Sequence, residues 1–301
     1  MDRFKQYIEN QWWNGIEKRD LENWVRNFGT SEEIAKLILD NVIFYNEQQL
    51  KAYTKFLVGK LKNEVYMNTI KNNGFKNVND DIIFNNWENY LIGTKIVPAA
   101  NRNDPTSSAY KIVRYWRSVL GQEKIGAITD GIENSYKLGI KRFIFVDDFS
   151  GSGTQMSKFL EEKIIFNNEE IKLGDLPCVC NDIDIIVAVY VIHEKAIEFL
   201  QKQFPNIKFL YVDLINENFN YMNNSSFMYE KMNLNEKNDI IDQIKKLTEN
   251  IKHNNAELLE LSAYLLNIPI VFEHGCPNNT LLLLFAHTDD WQQLFKRGIE
   301  I

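Results

Sequence analysis

Apolar residues recur at helical spacing through the first third of the chain. Phe4, Tyr7, Ile8, Trp12 and Ile16 fall mostly three or four apart, which gathers them on one helix face. Thr30-Ser-Glu-Glu33 has the form of a capping box ahead of Ile34, Leu37, Ile38 and Val42. Asn46-Glu-Gln-Gln49 repeats the signal ahead of Leu50, Tyr53, Leu57 and Leu61. From about Gly93 the pattern changes. Residues 94–98 predict a short strand, and Ser107 or Ser108 caps a helix through Arg117. Residues 126–129 read as a strand or turn and 130–138 as a helix, followed by a central strand over 143–146. A helix over 154–166, a strand over 183–191, a helix through Gln203 and a strand over 207–212 come next. Strands that are apolar throughout and alternate with helices imply a parallel sheet covered on both faces.

Residues 215–235 are rich in Asn and read as an irregular excursion. Ile240, Ile244, Leu247 and Ile251, then Leu258, Leu261 and Leu265, mark two helices, and 268–272 predict a last strand before the apolar run 281–285. The expected organisation is a helical N-terminal region over 1–90 and an α/β domain over 91–301. A helical excursion at about 215–266 interrupts that domain before its last strand.

Composition narrows the function classes. Hydrophobic residues make up 45% of the 301 and aromatics 13%, enough for a real core. The formal net charge of −7 and a pI near 5.3 argue against broad, charge-driven binding to nucleic acid. Three cysteines make no disulfide framework and suit a reducing compartment. Cys178 and Cys180 read as small buried residues, too tightly spaced for a zinc site. The N-terminus lacks a signal peptide's apolar core, and no apolar run approaches the ~18–20 residues of a membrane span. The expectation is a cytoplasmic protein with no membrane association.

The chemistry concentrates in residues 143–155, which read Phe-Ile-Phe-Val-Asp-Asp-Phe-Ser-Gly-Ser-Gly-Thr-Gln. A buried strand ends in two carboxylates, and a turn of small residues leads into a helix. Such a joint aims backbone N–H groups and the positive end of a helix dipole at one spot, as a phosphate cradle requires. Gly151 and Gly153 permit close approach of an anion, while Asp147 and Asp148 stand at the carboxyl end of the strand, where open α/β sheets bind ligands. Donors beside carboxylates suit a sugar phosphate, whose hydroxyls donate to carboxylates. A plain structural turn is the competing reading of Gly-Ser-Gly. A Walker A loop cannot be placed, because Lys158 follows Ser157 and not Gly, and a dinucleotide loop lacks its third glycine.

The segment resembles the phosphoribosyl-pyrophosphate (PRPP) motif of type I phosphoribosyltransferases: an apolar strand, two acidic residues, three variable positions, then Thr/Ser-Gly, here Ser152-Gly153. Where that family continues with a small residue and Thr, this chain has Thr154 and Gln155. The wording Asp-Asp-Phe-Ser-Gly-Ser-Gly-Thr-Gln, with Pro277-Asn-Asn-Thr-Leu281, resembles in particular the phosphoribosyltransferase-like effectors of bacterial antiphage conflict systems. The resemblance implies a phosphoribosyltransferase-like core. It implies that Asp147 and Asp148 hold the ribose hydroxyls and that Ser150, Gly151, Ser152, Gly153, Thr154 and Gln155 wrap the 5′-phosphate. It also implies Mg²⁺ arriving with the substrate and a pyrophosphate loop over 99–108. Arg102 is then a candidate pyrophosphate ligand; an ordinary surface loop is the alternative.

A second polar cluster, Glu273-His-Gly-Cys-Pro-Asn-Asn-Thr280, follows the last predicted strand. Glu273, Asn278 and Asn279 are candidate base or pyrophosphate contacts, expected at the same sheet edge as Asp147; a turn and cap is the alternative. His193, His253, His274 and His287 have no metal-ligand spacing, and no Gly-x-Ser-x-Gly elbow is present. His193 and His253 read as surface or helix-terminal residues. Trp12, Trp13 and Trp24 are either core or a protein-partner surface of the helical region. The expected ligand is a nucleotide or sugar phosphate, and the expected activity, if present, is pentosyl transfer. A non-catalytic nucleotide sensor and a vestigial scaffold are the alternatives.

Overall fold

The computed structural model describes residues 1–75, 78–100, 107–121, 131–253 and 266–297. The chain divides into two compact units, Leu50–Leu214 and a discontinuous unit of Met1–Gln49 with Ile215–Ile301. The line read from sequence, at about residue 90, falls elsewhere: residues 50–92 go with the sheet, and residues 1–49 go with the end of the chain.

The Leu50–Leu214 unit is built on β2 (Thr94–Pro98), β3 (Arg142–Ser150), β6 (Asp184–His193) and β7 (Lys208–Ile215), in the order β2-β3-β6-β7. The sheet is parallel, with Val97 opposite Phe145 and Phe145 opposite Val187. Its two central strands are apolar on both faces because both are covered. Residues 143–146 and 185–192 are all buried. On the face of Phe143, Phe145 and Val187 lie α8 (Thr154–Leu160) and α10 (Glu194–Gln203), through Met156, Phe159, Leu160, Ala196 and Leu200. α6 (Ala109–Leu120) packs against β2 and β3. On β6, Tyr190 alternates with Val187 and Val189 and so faces the other way. Its phenol bonds the Thr54 hydroxyl on α4 (Glu47–Asn72). The parallel, doubly covered sheet expected from the sequence is present.

The helix expected over 154–166 stops at Leu160. Residues beyond it form a hairpin, β4 (Lys163–Phe166) with β5 (Glu169–Lys172), turning at Asn167 and Asn168, whose φ values of 54° and 64° fit a tight hairpin turn. Cys178 is exposed and Cys180 partly so, contrary to the buried reading. They lie on the surface connection into β6, where Cys178 accepts a bond from Asn206 (3.0 Å) and Cys180 donates to Asp182 (2.9 Å).

The other unit holds α1 (Asp2–Glu9), α2 (Lys18–Arg26), α3 (Glu32–Asp40), β1 (Ile43–Tyr45), α11 (Leu234–His253), β8 (Ile270–Phe272) and a short helix, Leu282–Phe285. The helical insertion before the last strand is α11; residues 254–265, where a second helix was expected, lie outside the described residues. Strand β8 pairs in parallel with β1 in a two-stranded sheet of its own, so it is not a strand of the four-stranded sheet. The shared-edge argument for Glu273 therefore loses its premise.

Capping follows the sequence in part. Asn46 and Gln49 exchange reciprocal bonds of 2.9 Å at the start of α4. At α3 the N-cap is Ser31, without a side-chain cap bond, so the box expected there does not form. Trp13 and Trp24 are core, and Trp12 is exposed.

Candidate functional site

Strand β3 carries the acidic pair into the sheet's carboxyl edge. It runs on past the pair to Ser150, with Asp147 opposite Val189 and Ser150 opposite Ile192. Asp147 and Asp148 are thus strand residues, each 7% exposed. The parity of the strand places Asp147 with Phe143 and Phe145, on the face that α8 and α10 cover. That apolar setting penalises its charged form. Burial first, then the neighbouring charge of Asp148 and a side-chain hydrogen bond with it, hold the Asp147 carboxyl well above the usual carboxylate range. The Asp148 backbone N–H donates to Asp147 Oδ1 at 3.0 Å, which works weakly the other way.

After Ser150 the chain bends through residues 151–153 and enters α8 at Thr154. The strand–bend–helix joint read from the sequence is there, but Thr154 and Gln155 already belong to the first helical turn. Gly153 is the hinge. Its φ of +77° is left-handed, and a Cβ there would meet Phe199 Cδ1 at 3.1 Å and the Ala196 backbone at 3.3 Å. Glycine is thus required by conformation and by close packing on α10. Ser152 is exposed; its Oγ accepts from the Thr154 N–H (3.3 Å) and donates to Thr154 Oγ1 (3.1 Å). Gly151 and Ser150 are buried, and Gln155 is exposed. The eight residues from Asp147 to Gln155, Phe149 aside, therefore form one continuous corner.

Neighbouring strands bring further groups to this edge. The Ala99 N–H donates to the Val146 carbonyl (2.9 Å), so the connection after β2 departs beside Asp147. Arg102, three residues on, lies outside the described residues. His193 ends β6, buried, and its Nδ1 caps α10 by accepting from the Lys195 N–H at 3.1 Å. It is helix-terminal as expected, and not on the surface. Tyr190 is fully buried in β6, in the position that flanks Asp148 between the Asp147–Val189 and Phe149–Val191 pairs. Since Thr54 Oγ1 spends its proton on the Leu50 carbonyl (3.0 Å), Tyr190 is the donor to Thr54. Burial pushes the Tyr190 phenol up, and Asp148 adds to the shift. Tyr53, one residue earlier on α4, donates to Asp213 on β7. Tyr190 and Thr54 were not singled out from sequence. Tyr190 stands in an apolar run, and only the strand register reveals its neighbour.

Glu273, Asn278 and Asn279 belong to the other unit. Glu273 accepts from Asn14 Nδ2 (2.9 Å) and from the Glu47 N–H (2.7 Å), so it caps α4 from a distance. Asn278 is exposed and accepts from Arg297 Nε at 3.2 Å; Asn279 is buried, and its carbonyl accepts from the Ile268 N–H. Each has a local structural occupation.

Among the described residues no three His, Cys, Asp or Glu side chains gather as a metal site, and no helix is long and apolar enough to cross a membrane. Residues 21–297 match the family model PRTase-CE. No curated protein matches the chain.

Proposed function

Because the chain belongs to the PRTase-CE family, a phosphoribosyltransferase-like family, we propose that the corner from Asp147 to Gln155 binds PRPP or a related nucleotide. One observation carries this reading: a buried acidic pair on a central parallel strand, followed at once by a glycine-hinged bend into a helix. The ligand's phosphate would lie against the backbone N–H groups of residues 151–155 and the Ser152 and Thr154 hydroxyls. Asp147 and Asp148 would meet the ribose hydroxyls.

The donor set fits a magnesium ion that enters with the substrate. Two adjacent carboxylates without a third acidic, His or Cys partner among the described residues suit Mg²⁺, which prefers substrate phosphates plus one or two carboxylates. When bound, the ion would offset pyrophosphate charge. In transfer, the bond from the anomeric carbon to pyrophosphate breaks, and the acceptor forms a bond there as it loses a proton. The carboxylates favour the positive charge that develops on the sugar, and the bend holds the 5′-phosphate still. Arg102 is proposed to reach the pyrophosphate, since the chain leaves β2 beside Asp147. A sensing role without transfer would use the same contacts. The proposed setting is a cytoplasmic effector of bacterial antiphage defence, with the helical segments as the protein-partner surface; it rests on the resemblance of the motif wording.

The test is isothermal titration with PRPP, ATP, NAD and nucleoside monophosphates against the native protein and Asp147→Asn/Asp148→Asn. The expected result is binding of at least one ligand, weakened more than about tenfold in the variant while its circular dichroism is unchanged. Equal binding by both proteins, or none by the native one, sinks the proposal. Release of pyrophosphate with a bound acceptor separates transfer from sensing.

A further inference from the structure

The unit of residues 1–49 and 215–301 contains a cavity of about 530 Å³, open to solvent, between the Asn-rich loop after β7 and one face of α11. That volume lies within the roughly 300–1,000 Å³ of small-ligand sites. The loop wall is irregular but anchored. Tyr221 donates to the Ile38 carbonyl (2.9 Å), Tyr229 to the Tyr221 carbonyl (2.7 Å) and Ser226 to the Asn218 carbonyl (2.8 Å), all three side chains buried. Asn220 Oδ1 accepts from the Met222 N–H (2.7 Å) and Asn223 Oδ1 from the Ser225 N–H (3.0 Å). These turns use the amide oxygens, and the NH₂ groups of Asn220 and Asn223 have no acceptor among the described residues.

Opposite them α11 presents Asn238, Asp242 and Lys245, with buried Ile241 as the floor. Asn224 and Asn238 line the cavity with exposed side chains that make no hydrogen bond among the described residues. Glu217 and Asp242 contribute two negative charges and Lys245 one positive, which leaves one negative. Lys245 stands 3.6 Å from Asp242.

We propose that this groove binds an extended peptide segment carrying lysine or arginine. A carboxamide repeats the donor and acceptor of a peptide unit, so amides on both walls can pair with backbone groups of a strand laid between them. The net negative charge selects basic side chains and disfavours phosphates. Among the described residues no aromatic side chain lines the groove, so they offer a base or sugar ring no platform to stack on.

Fluorescence polarisation with labelled peptides of alternating Gly and Lys, and of alternating Gly and Glu, tests this on the full chain. The Gly-Lys peptide should bind and the Gly-Glu peptide should not. Asn224→Ala and Asn238→Ala should each weaken binding several-fold without lowering the melting temperature, since neither side chain has a partner to lose among the described residues. Asp242→Lys should weaken the Gly-Lys peptide about tenfold and admit the Gly-Glu one. Equal binding of both peptides, no binding of either, or affinity that all three variants leave unchanged overturns the proposal. Saturable ATP binding lost in the same variants reassigns the groove to nucleotides and overturns it equally.

Discussion

Gly153→Ala is the sharpest perturbation of the corner, because two independent costs act on one methyl group. At φ +77° an L-residue loses about 1–2 kcal/mol to its own backbone. The new Cβ would also stand 3.3 Å from the Ala196 Cα and carbonyl oxygen. These are backbone atoms of α10 that cannot swing aside as a flexible side chain would, and such overpacking costs about 1–3 kcal/mol. A total near 3 kcal/mol lowers the melting temperature by roughly 6–12 °C in a domain of this size. The matched control is Gly59→Ala. Gly59 lies inside α4, with no positive φ and nothing within 4 Å of its would-be Cβ, so the same substitution should stabilise by about 0.5–1 kcal/mol. Thermal melts of the two variants, read by circular dichroism, should move in opposite directions. If Gly153→Ala melts with the native protein, or with Gly59→Ala, the hinge is not a constraint and the account of the bend is wrong.

Asp147→Asn should change the pH dependence of stability. The native carboxyl keeps its proton above the usual range, so stability present at low pH is lost as pH rises from that range through the raised folded value. Urea midpoints of native protein and variant should coincide in acid and separate towards neutrality, with the Asn variant the more stable; parallel curves would refute the assignment. Glu273→Ala should remove the cap on the Glu47 N–H, cost about 1 kcal/mol in thermal melts, and leave nucleotide affinity unchanged. Lost affinity at an unchanged melting temperature would instead make Glu273 a ligand residue.

The sheet was legible where burial writes itself into consecutive residues. Phe143 to Val146 and Ile185 to Val191 cannot be half-exposed strands, and the Ser150-Gly-Ser-Gly153 run that follows the first of them admits little but a bend. Less legible was Lys163-Ile-Ile-Phe166, whose apolar run continues a helix pattern as readily as it starts a hairpin. The Asn167-Asn168 pair was the turn signal that separated them. The pairing of Ile43–Tyr45 with Ile270–Phe272 was hidden because three-residue strands have no period to read. Glu273 was misleading for a related reason. Its neighbours in sequence form a polar cluster, while its bonding partners, Asn14 and Glu47, lie more than two hundred positions away. The unit division was obscured likewise, since local patterning carries no information about which distant helices share a core.

The bond from Trp24 Nε1 to the Leu283 carbonyl, 2.7 Å long, joins residues 259 positions apart. Trp291 donates to the same carbonyl. On a ribosome adding about 5–20 residues per second, Trp24 waits roughly 13–50 s for its acceptor to be made. In that interval residues 50–214 can close around their own sheet, while Phe4, Trp13, Leu21 and Trp24 have no core to enter. Residues around Trp24 are therefore made well before they can be buried, and a nascent chain exposes an aromatic-rich segment that chaperones and proteases would meet before Leu283 is made.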